Sequence, residues 1–178
     1  MINEYYTPEK VKVVKEEFEK NNVVQLQQIL IPEVYAKLLK VLLQKQFFHR
    51  KVPDEFSYAT TESMQLVSEV CRALAPLVHT ITGKKLGKKQ IELYQHCDYT
   101  LRKDKHNRKR RTELILDLVT LEESLGGYTS IADAEGEVAR FVPQANSLTI
   151  IELIEDQDMF VKYVNCLAER SRLLLRLW

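Results

Sequence analysis

The chain has 178 residues, of which 45% are hydrophobic and 29% are charged, and its formal net charge at pH 7 is +1. This composition is typical of a single globular domain, here residues 1–178, and no window approaches the roughly 18 consecutive apolar residues of a membrane-spanning helix. Because the chain is nearly neutral, its overall charge does not favour nucleic-acid binding. Any such function must depend on a local cluster of basic residues. Three cysteines without a CxxC pair favour reduced thiols in the cytoplasm or the nucleus, and we expect the cytoplasm.

The first part of the chain, about residues 1–84, is predicted to be mainly helical. Thr7 followed by Pro8 is a typical helix start, because the threonine hydroxyl caps free amide groups and proline fits the first helical position. Gly83 is a typical helix end, because glycine readily adopts the left-handed conformation found there. The predicted elements are a helix from Pro8 to about Lys20, a strand from Val23 to Leu30, a helix from Pro32 to Gln46 and a helix from about Glu62 to Thr82.

The second part, about residues 90–178, consists of short β-rich runs separated by turns. Leu114, Leu116 and Leu118 alternate with other residues, which places them on one face of a strand. Further runs extend over residues 91–95, 136–142, 147–154, 159–165 and 171–178. Helices followed by many short strands predict an α+β fold in which N-terminal helices pack on a jelly-roll core.

An ordered set of motifs occupies the C-terminal third of the chain. Its members are Gly126-Gly127, Pro143-x-x-Asn146-x-Leu148, Val161 and Val164 in the frame of a His-x-Val-x-x-Val segment, and Arg172 six residues before Trp178. With these motifs the chain, from about Phe18 to Trp178, resembles the 2-oxoglutarate and Fe(II)-dependent oxygenases of the prolyl-hydroxylase branch. The resemblance implies that the jelly-roll core is a double-stranded β-helix.

The resemblance also implies a site for iron, held by two histidines and one carboxylate, and for 2-oxoglutarate, held by a basic residue. The frame of Val161 and Val164 puts Met159 in the place of the second histidine, and a thioether is a poor ligand for Fe(II). Arg172 stands in the place of the residue that binds 2-oxoglutarate, a task that suits a bidentate arginine. The competing interpretation is that Arg172 is solvated or pairs with a carboxylate of the chain such as Glu152.

The remaining two iron ligands allow two alignments. His96 and Asp98 match the literal His-x-Asp motif. Counting back from the following strand instead puts Lys103 and Lys105 in the ligand places. We favour this alignment because it keeps the spacing of the ligand pair to the segment before it and to the strand after it. Two lysines would repel Fe(II) unless they were deprotonated, which is costly. Under either alignment the set of iron ligands is incomplete.

Positive charge is concentrated between residues 102 and 111. Seven basic side chains and one aspartate give this basic run a charge of +6, and the rest of the chain carries −5. Lys and Arg neutralise phosphates, and Arg also stacks on unpaired bases, so the basic run predicts contact with RNA or a ribonucleoprotein such as the ribosome. The predicted contact residues are Arg102, Lys103, Lys105, Arg108, Lys109, Arg110 and Arg111. A solvated loop and a nuclear localisation sequence are the competing interpretations.

Two main hypotheses follow for the function. The first is a catalytically degenerate oxygenase-like protein that needs no cofactor and serves as a binding module for RNA or a ribonucleoprotein in the cytoplasm. The second is an active dioxygenase that hydroxylates a protein side chain, with His96 and Asp98 on Fe(II) and Arg172 on 2-oxoglutarate. A domain that binds a protein partner without nucleic acid is the third interpretation.

Overall fold

The structure, a computed structural model, describes residues 1–101 and 110–178. The helices of these ranges are α1 (Pro8–Asn21), α2 (Pro32–Leu43) and α3 (Gln65–Thr82), with a short 3-10 turn at Glu123–Leu125. The strands are β1 (Val23–Leu26), β2 (Phe48–Val52), β3 (Phe56–Thr61), β4 (Lys89–Tyr94), β5 (Tyr99–Thr100), β6 (Arg111–Asp117), β7 (Thr129–Ala132), β8 (Glu137–Phe141), β9 (Ser147–Leu153), β10 (Asp158–Val161) and β11 (Arg172–Leu177). In the described ranges, none of the helices combines the length and the apolar character that crossing a bilayer requires.

The local signals at two helix ends act as predicted. The hydroxyl of Thr7 accepts a hydrogen bond from the backbone amide of Lys10 at 3.5 Å, and Pro8 is the first residue of α1. Gly83 ends α3 with a φ of 71°, and its N–H donates to the carbonyl of His79 at 2.8 Å. Glycine adopts this left-handed conformation without the steric cost of a side chain.

The segment between α2 and α3 is a β-hairpin that the sequence did not predict. The mainly helical prediction for residues 1–84 is therefore wrong over β2 and β3. All five residues of β2 are exposed, so the strand lacks the alternation of apolar and polar residues that identifies a half-buried strand. Its place is fixed instead by antiparallel pairing with β3, which in turn pairs with β4.

Two antiparallel sheets form the core. The larger sheet has the order β1-β9-β6-β11-β4-β3-β2, with β5 paired to β3, and the smaller has the order β10-β7-β8. Ile115 of the larger sheet and Ile131 of the smaller one belong to the same buried cluster, so the two sheets pack face to face. This arrangement is the predicted jelly roll, and the predicted α+β fold is confirmed.

The helices cover the outer face of the larger sheet. Leu114, Leu116 and Leu118 share a buried cluster with Leu38 of α2 and Leu74 of α3, which confirms their predicted common face. Successive residues of a strand point to opposite faces, so the residues between these leucines face the smaller sheet. We call the side toward the helices the outer face and the side toward the smaller sheet the inner face.

Asn146, from the Pro-x-x-Asn-x-Leu motif, connects the sheet to the N-terminal part of the chain. Its side-chain oxygen accepts from the amide of Leu30 at 3.0 Å, and its side-chain nitrogen donates to the carbonyl of Leu30 at 2.8 Å. The side chain is buried, and its backbone has a φ of 58°. A single amide side chain therefore satisfies both backbone groups of a residue 116 positions earlier.

We expect Asn146→Ala to lower the free energy of unfolding by about 2–4 kcal/mol, because both backbone groups of Leu30 would be buried without partners. Asn146→Gly should lose somewhat less, since glycine adopts a positive φ without strain. Urea unfolding followed by circular dichroism measures both values. A loss below about 1 kcal/mol for Asn146→Ala would show that water or a shifted backbone replaces the two bonds.

Candidate functional site

Charged side chains lie on the inner face of three neighbouring strands. The strand β11 contributes Arg172 and Arg176, β6 contributes Glu113 and Asp117, and β4 contributes Glu92. Alternation explains their common side, because Arg172, Leu174 and Arg176 are two residues apart along β11. Charges that are removed from water in this way need partners of opposite sign.

Arg172 is fully buried and is paired with Asp117. Its Nε donates to Oδ1 of Asp117 at 2.8 Å and its Nη2 donates to Oδ2 at 3.0 Å, which is the bidentate geometry that guanidinium and carboxylate groups favour. Its Nη1 donates to the carbonyl of Gly127 and to the hydroxyl of Thr129, both at 2.8 Å. Both edges of the guanidinium group are thus engaged by the chain itself.

Arg172 pairs with a carboxylate of the chain, as the competing interpretation had it, but that carboxylate belongs to Asp117 and not to Glu152. Glu152 lies on the outer face, where Lys84 and Arg110 bind its carboxylate. Burial raises the pKa of Asp117, while the bidentate contact with the Arg172 guanidinium opposes that shift by favouring the ionised carboxylate. Alternation along β9 places Glu152 on the wrong side of the sheet to reach Arg172.

A second charged group lies further along the inner face. The Nε of Arg176 is 3.1 Å from Oε1 of Glu92, and the hydroxyl of Tyr94 donates to Oε2 of Glu92 at 2.7 Å. Burial is the main cause that raises the pKa of Tyr94 well above its ordinary value, so the phenol stays protonated and acts as a donor. Burial also raises the pKa of Glu113, and Arg176 and Arg111 oppose that shift.

A cavity of about 410 Å³ opens at this end of the inner face. Its walls include Tyr58, Arg111, Glu113, Met159, Arg176 and Trp178. Met159, the residue in the predicted place of the second histidine, is therefore part of this cavity. Lys103 and Lys105 lie outside the described residues, and their predicted place stays a prediction.

His96 and Asp98 are engaged by other parts of the protein. The Nε2 of His96 lies 2.7 Å from the carbonyl oxygen of Ala168. The buried carboxylate of Asp98 accepts from the hydroxyl of Ser57 at 2.6 Å and from the backbone amide of Gln95 at 2.9 Å. Both residues therefore fix the turn between β4 and β5 in place.

His49 completes a Ser-His-Asp group with Ser57 and Asp98, but not a catalytic triad. The Nε2 of His49 lies 2.9 Å from Asp98 and 3.2 Å from Ser57, so one ring nitrogen faces both partners. A triad needs the two ring nitrogens on different partners, one to orient the ring and one to take the serine proton. The three side chains connect the β2–β3 hairpin to the β4–β5 turn.

The described residues do not fit iron and 2-oxoglutarate in the predicted way. Within residues 1–101 and 110–178, no group of three or more His, Cys, Asp or Glu side chains could hold a metal ion. The bidentate edge of Arg172 that a carboxylate ligand would need is filled by Asp117. A soft thioether at Met159 does not replace an imidazole on Fe(II).

Comparison with known proteins gives no match by sequence: neither a family model nor a curated protein matches the chain. Solved structures match it closely in fold, and the fold is that of the 2-oxoglutarate and Fe(II)-dependent oxygenases, which confirms the predicted architecture. The prolyl-4-hydroxylase of Pseudomonas putida superposes with a TM-score of 0.73 at 15% identity, covering 94% of this chain and 97% of that one.

Two further structures belong to the same branch. A prolyl hydroxylase of Trichoplax adhaerens, solved with a peptide of the hypoxia-inducible factor, gives a TM-score of 0.69 at 12% identity and covers 94% of this chain and 87% of that one. A viral collagen prolyl hydroxylase of Paramecium bursaria Chlorella virus-1, solved with 2-oxoglutarate, gives 0.68 at 11% identity, with 90% and 96% covered. At these identities the likeness establishes the fold alone.

The sequence interpretation missed Asp117 and Glu92 as site residues. A usable signal was present, because Asp117 interrupts the apolar run at residues 114–119 and Glu92 interrupts that of β4. A charge inside a strand that is apolar on both sides needs a buried partner of opposite sign. What the sequence does not contain is the register that sets Asp117 opposite Leu174 and therefore diagonal to Arg172.

We expect Asp117→Asn to lower the free energy of unfolding by about 3–5 kcal/mol, because the charge of Arg172 would stay buried without a counter-charge. Replacing both residues by leucine should recover most of this loss. Urea unfolding measures the three proteins, with the exposed Asp156→Asn as a control that should change stability by less than about 0.5 kcal/mol. Equal effects of Asp117→Asn and Asp156→Asn would contradict a structural role for the pair.

Proposed function

We propose that the protein is a catalytically degenerate member of this fold class that serves as a binding module. The observation that carries the proposal is the closed pair of Arg172 and Asp117. An arginine that recognises a carboxylate ligand needs a free bidentate edge, and here a side chain of the protein takes that edge. Met159 in the histidine place supports the same conclusion, since its sulfur lacks the basicity that Fe(II) binding requires.

The proposed partner is RNA or a ribonucleoprotein such as the ribosome, bound through the basic run at residues 102–111. Arg110 and Arg111 are its described members, and the side chain of Arg110 is 62% exposed. Five further cations of the basic run lie outside the described residues. A charge of +6 over ten residues favours an anionic partner, because each Lys or Arg that neutralises a phosphate releases a bound counterion.

The cytoplasm is the proposed location. Cys71, Cys97 and Cys166 are free thiols, which agrees with a reducing compartment. The cytoplasm also contains the ribosomes and other ribonucleoproteins that the basic run is proposed to contact.

Replacing Lys103, Lys105, Arg108 and Lys109 by glutamate should abolish co-sedimentation with ribosomes and RNA at physiological salt. The slope of log affinity against log salt should fall by up to about 3, because as many as four phosphate contacts are lost. Replacing Lys12, Lys37, Lys40 and Lys45 by glutamate is the matched control, since these four lysines are exposed on or beside helices.

Equal co-sedimentation of the wild type and the variant of the basic run would contradict the RNA proposal. Association that persists after nuclease treatment would assign the surface to a protein partner. Both experiments use the full chain, so a common loss of folding would appear in the circular dichroism of the variant.

The competing function, an active dioxygenase, makes a distinct prediction about cofactors. We expect isothermal calorimetry with Mn(II) and 2-oxoglutarate to give no saturable heat on the folded protein, because Asp117 already fills the bidentate edge of Arg172. A saturable heat that His96→Ala removes would contradict this expectation. It would instead support His96 and Asp98 as metal ligands.

A further inference from the structure

A second basic segment spans the loop between α3 and β4 and the first two residues of β4. Residues 83–90 read GKKLGKKQ and contain four lysines and no acidic residue. Together with the basic run at 102–111 they carry +10, so the remainder of the chain carries −9. We call residues 84–89 the lysine loop.

The structure brings the lysine loop and the start of β6 to one carboxylate. Glu152 of β9 is buried, and its oxygens lie 2.7 and 2.8 Å from the Nζ of Lys84. The Nε of Arg110 lies 2.9 Å from the same carboxylate, and the hydroxyl of Thr112 donates to it. One negative charge therefore holds two positive segments together and leaves them with an excess of positive charge.

A groove of about 390 Å³ runs along this junction on the outer face. Lys84, Lys85 and Arg110 lie along it, and Leu86 and Trp178 contribute apolar surface. Arg111 and Glu113 line both this groove and the cavity of the inner face. Lys85 is exposed, and none of the described acidic side chains pairs with it. Its ammonium group is therefore available to an anionic ligand.

Trp178 is an exposed aromatic ring within this positive surface. It is 40% exposed and lines both the groove and the cavity of the inner face. Its backbone exchanges two hydrogen bonds with Lys88, from Lys88 N to Trp178 O at 2.8 Å and from Trp178 N to Lys88 O at 3.1 Å. The lysine loop thus fixes the backbone of Trp178 beside the groove.

We propose that the groove binds single-stranded RNA, with Lys84, Lys85 and Arg110 on the phosphates and Trp178 stacked on a base. The inference rests on the proposed function, which names RNA as the partner. It adds where on the protein the RNA binds and that the bound RNA is single-stranded. A positive groove with an exposed aromatic ring is the usual design for unpaired strands, because the ring stacks on base faces. A duplex hides those faces inside its own stack, so it would leave Trp178 without a role.

The first test uses the intrinsic fluorescence of the protein, because Trp178 is its one tryptophan. A mixed-sequence single-stranded RNA of about 12 nucleotides should quench this fluorescence as it saturates the site. A duplex of the same length should bind more weakly and leave the fluorescence nearly unchanged. Binding of both oligonucleotides is followed independently by the anisotropy of a dye on the RNA.

The second test separates stacking from charge. Trp178→Ala should weaken binding about 10- to 100-fold with an unchanged salt slope, and Trp178→Phe should retain most of the affinity. Lys85→Glu should weaken binding and lower the salt slope by about 0.7, the effect of one phosphate contact on a single strand. Tyr163→Ala is the control, since Tyr163 is 50% exposed and also lies beside a lysine, Lys162.

The outcomes distinguish this inference from the proposed function. If the variant of the basic run loses RNA while Trp178→Ala and Lys85→Glu bind like the wild type, the groove is not the site and the proposed function stands. If the wild type binds no RNA, both fail. A preference for the duplex, or binding without any change in tryptophan fluorescence, overturns the single-stranded site directly.

Discussion

The buried guanidinium of Arg172 is the constraint on which the inner face of the protein depends. Arginine stays charged in proteins, so a fully buried arginine must be matched by fixed acceptors. The acceptors come from three places: Asp117 on β6, the carbonyl of Gly127, and the hydroxyl of Thr129 on β7. Because β6 and β7 belong to different sheets, this one side chain connects the two layers of the jelly roll.

The same constraint determines which chemistry the inner face can support. A carboxylate supplied by the chain is always present at full occupancy, whereas a dissolved acid would have to displace it and leave Asp117 buried without a counter-charge. The remaining inner-face charges are also paired, since Arg176 lies against Glu92 and Arg111 lies near Glu113 and Asp158. The inner face is therefore organised to hold its own charges, whereas Lys85, which pairs with none of the described acidic side chains, lines the groove of the outer face.

Much of the fold follows from local patterns, but the pairing of its charges does not. The leucines of β6, the cap at Thr7 and the end of α3 at Gly83 are readable from the sequence because each depends on neighbours only. The hairpin of β2 and β3 cannot be predicted from local patterns, because its stability comes from pairing with β4, which lies about 30 residues further along the chain.

The motif alignment found the correct fold, in which Arg172 and Met159 lie on the inner side of the jelly roll. It could not identify Asp117 as the partner of Arg172, since that pairing depends on register between strands 55 residues apart. His96 and Asp98 match a ligand motif letter by letter, yet their side chains face Ala168 and Ser57. A short motif does not specify where its side chains point, and this orientation decides which groups come into contact.

The exposed strand β2 has a consequence for how the protein behaves at high concentration. It forms one edge of the larger sheet, and an edge strand with free backbone groups is a template for pairing with another molecule. Arg50 and Lys51 follow one another in this strand. Two copies that approach edge to edge would bring these like charges together, so the strand that the sequence pattern failed to reveal also protects the sheet from extending into an aggregate.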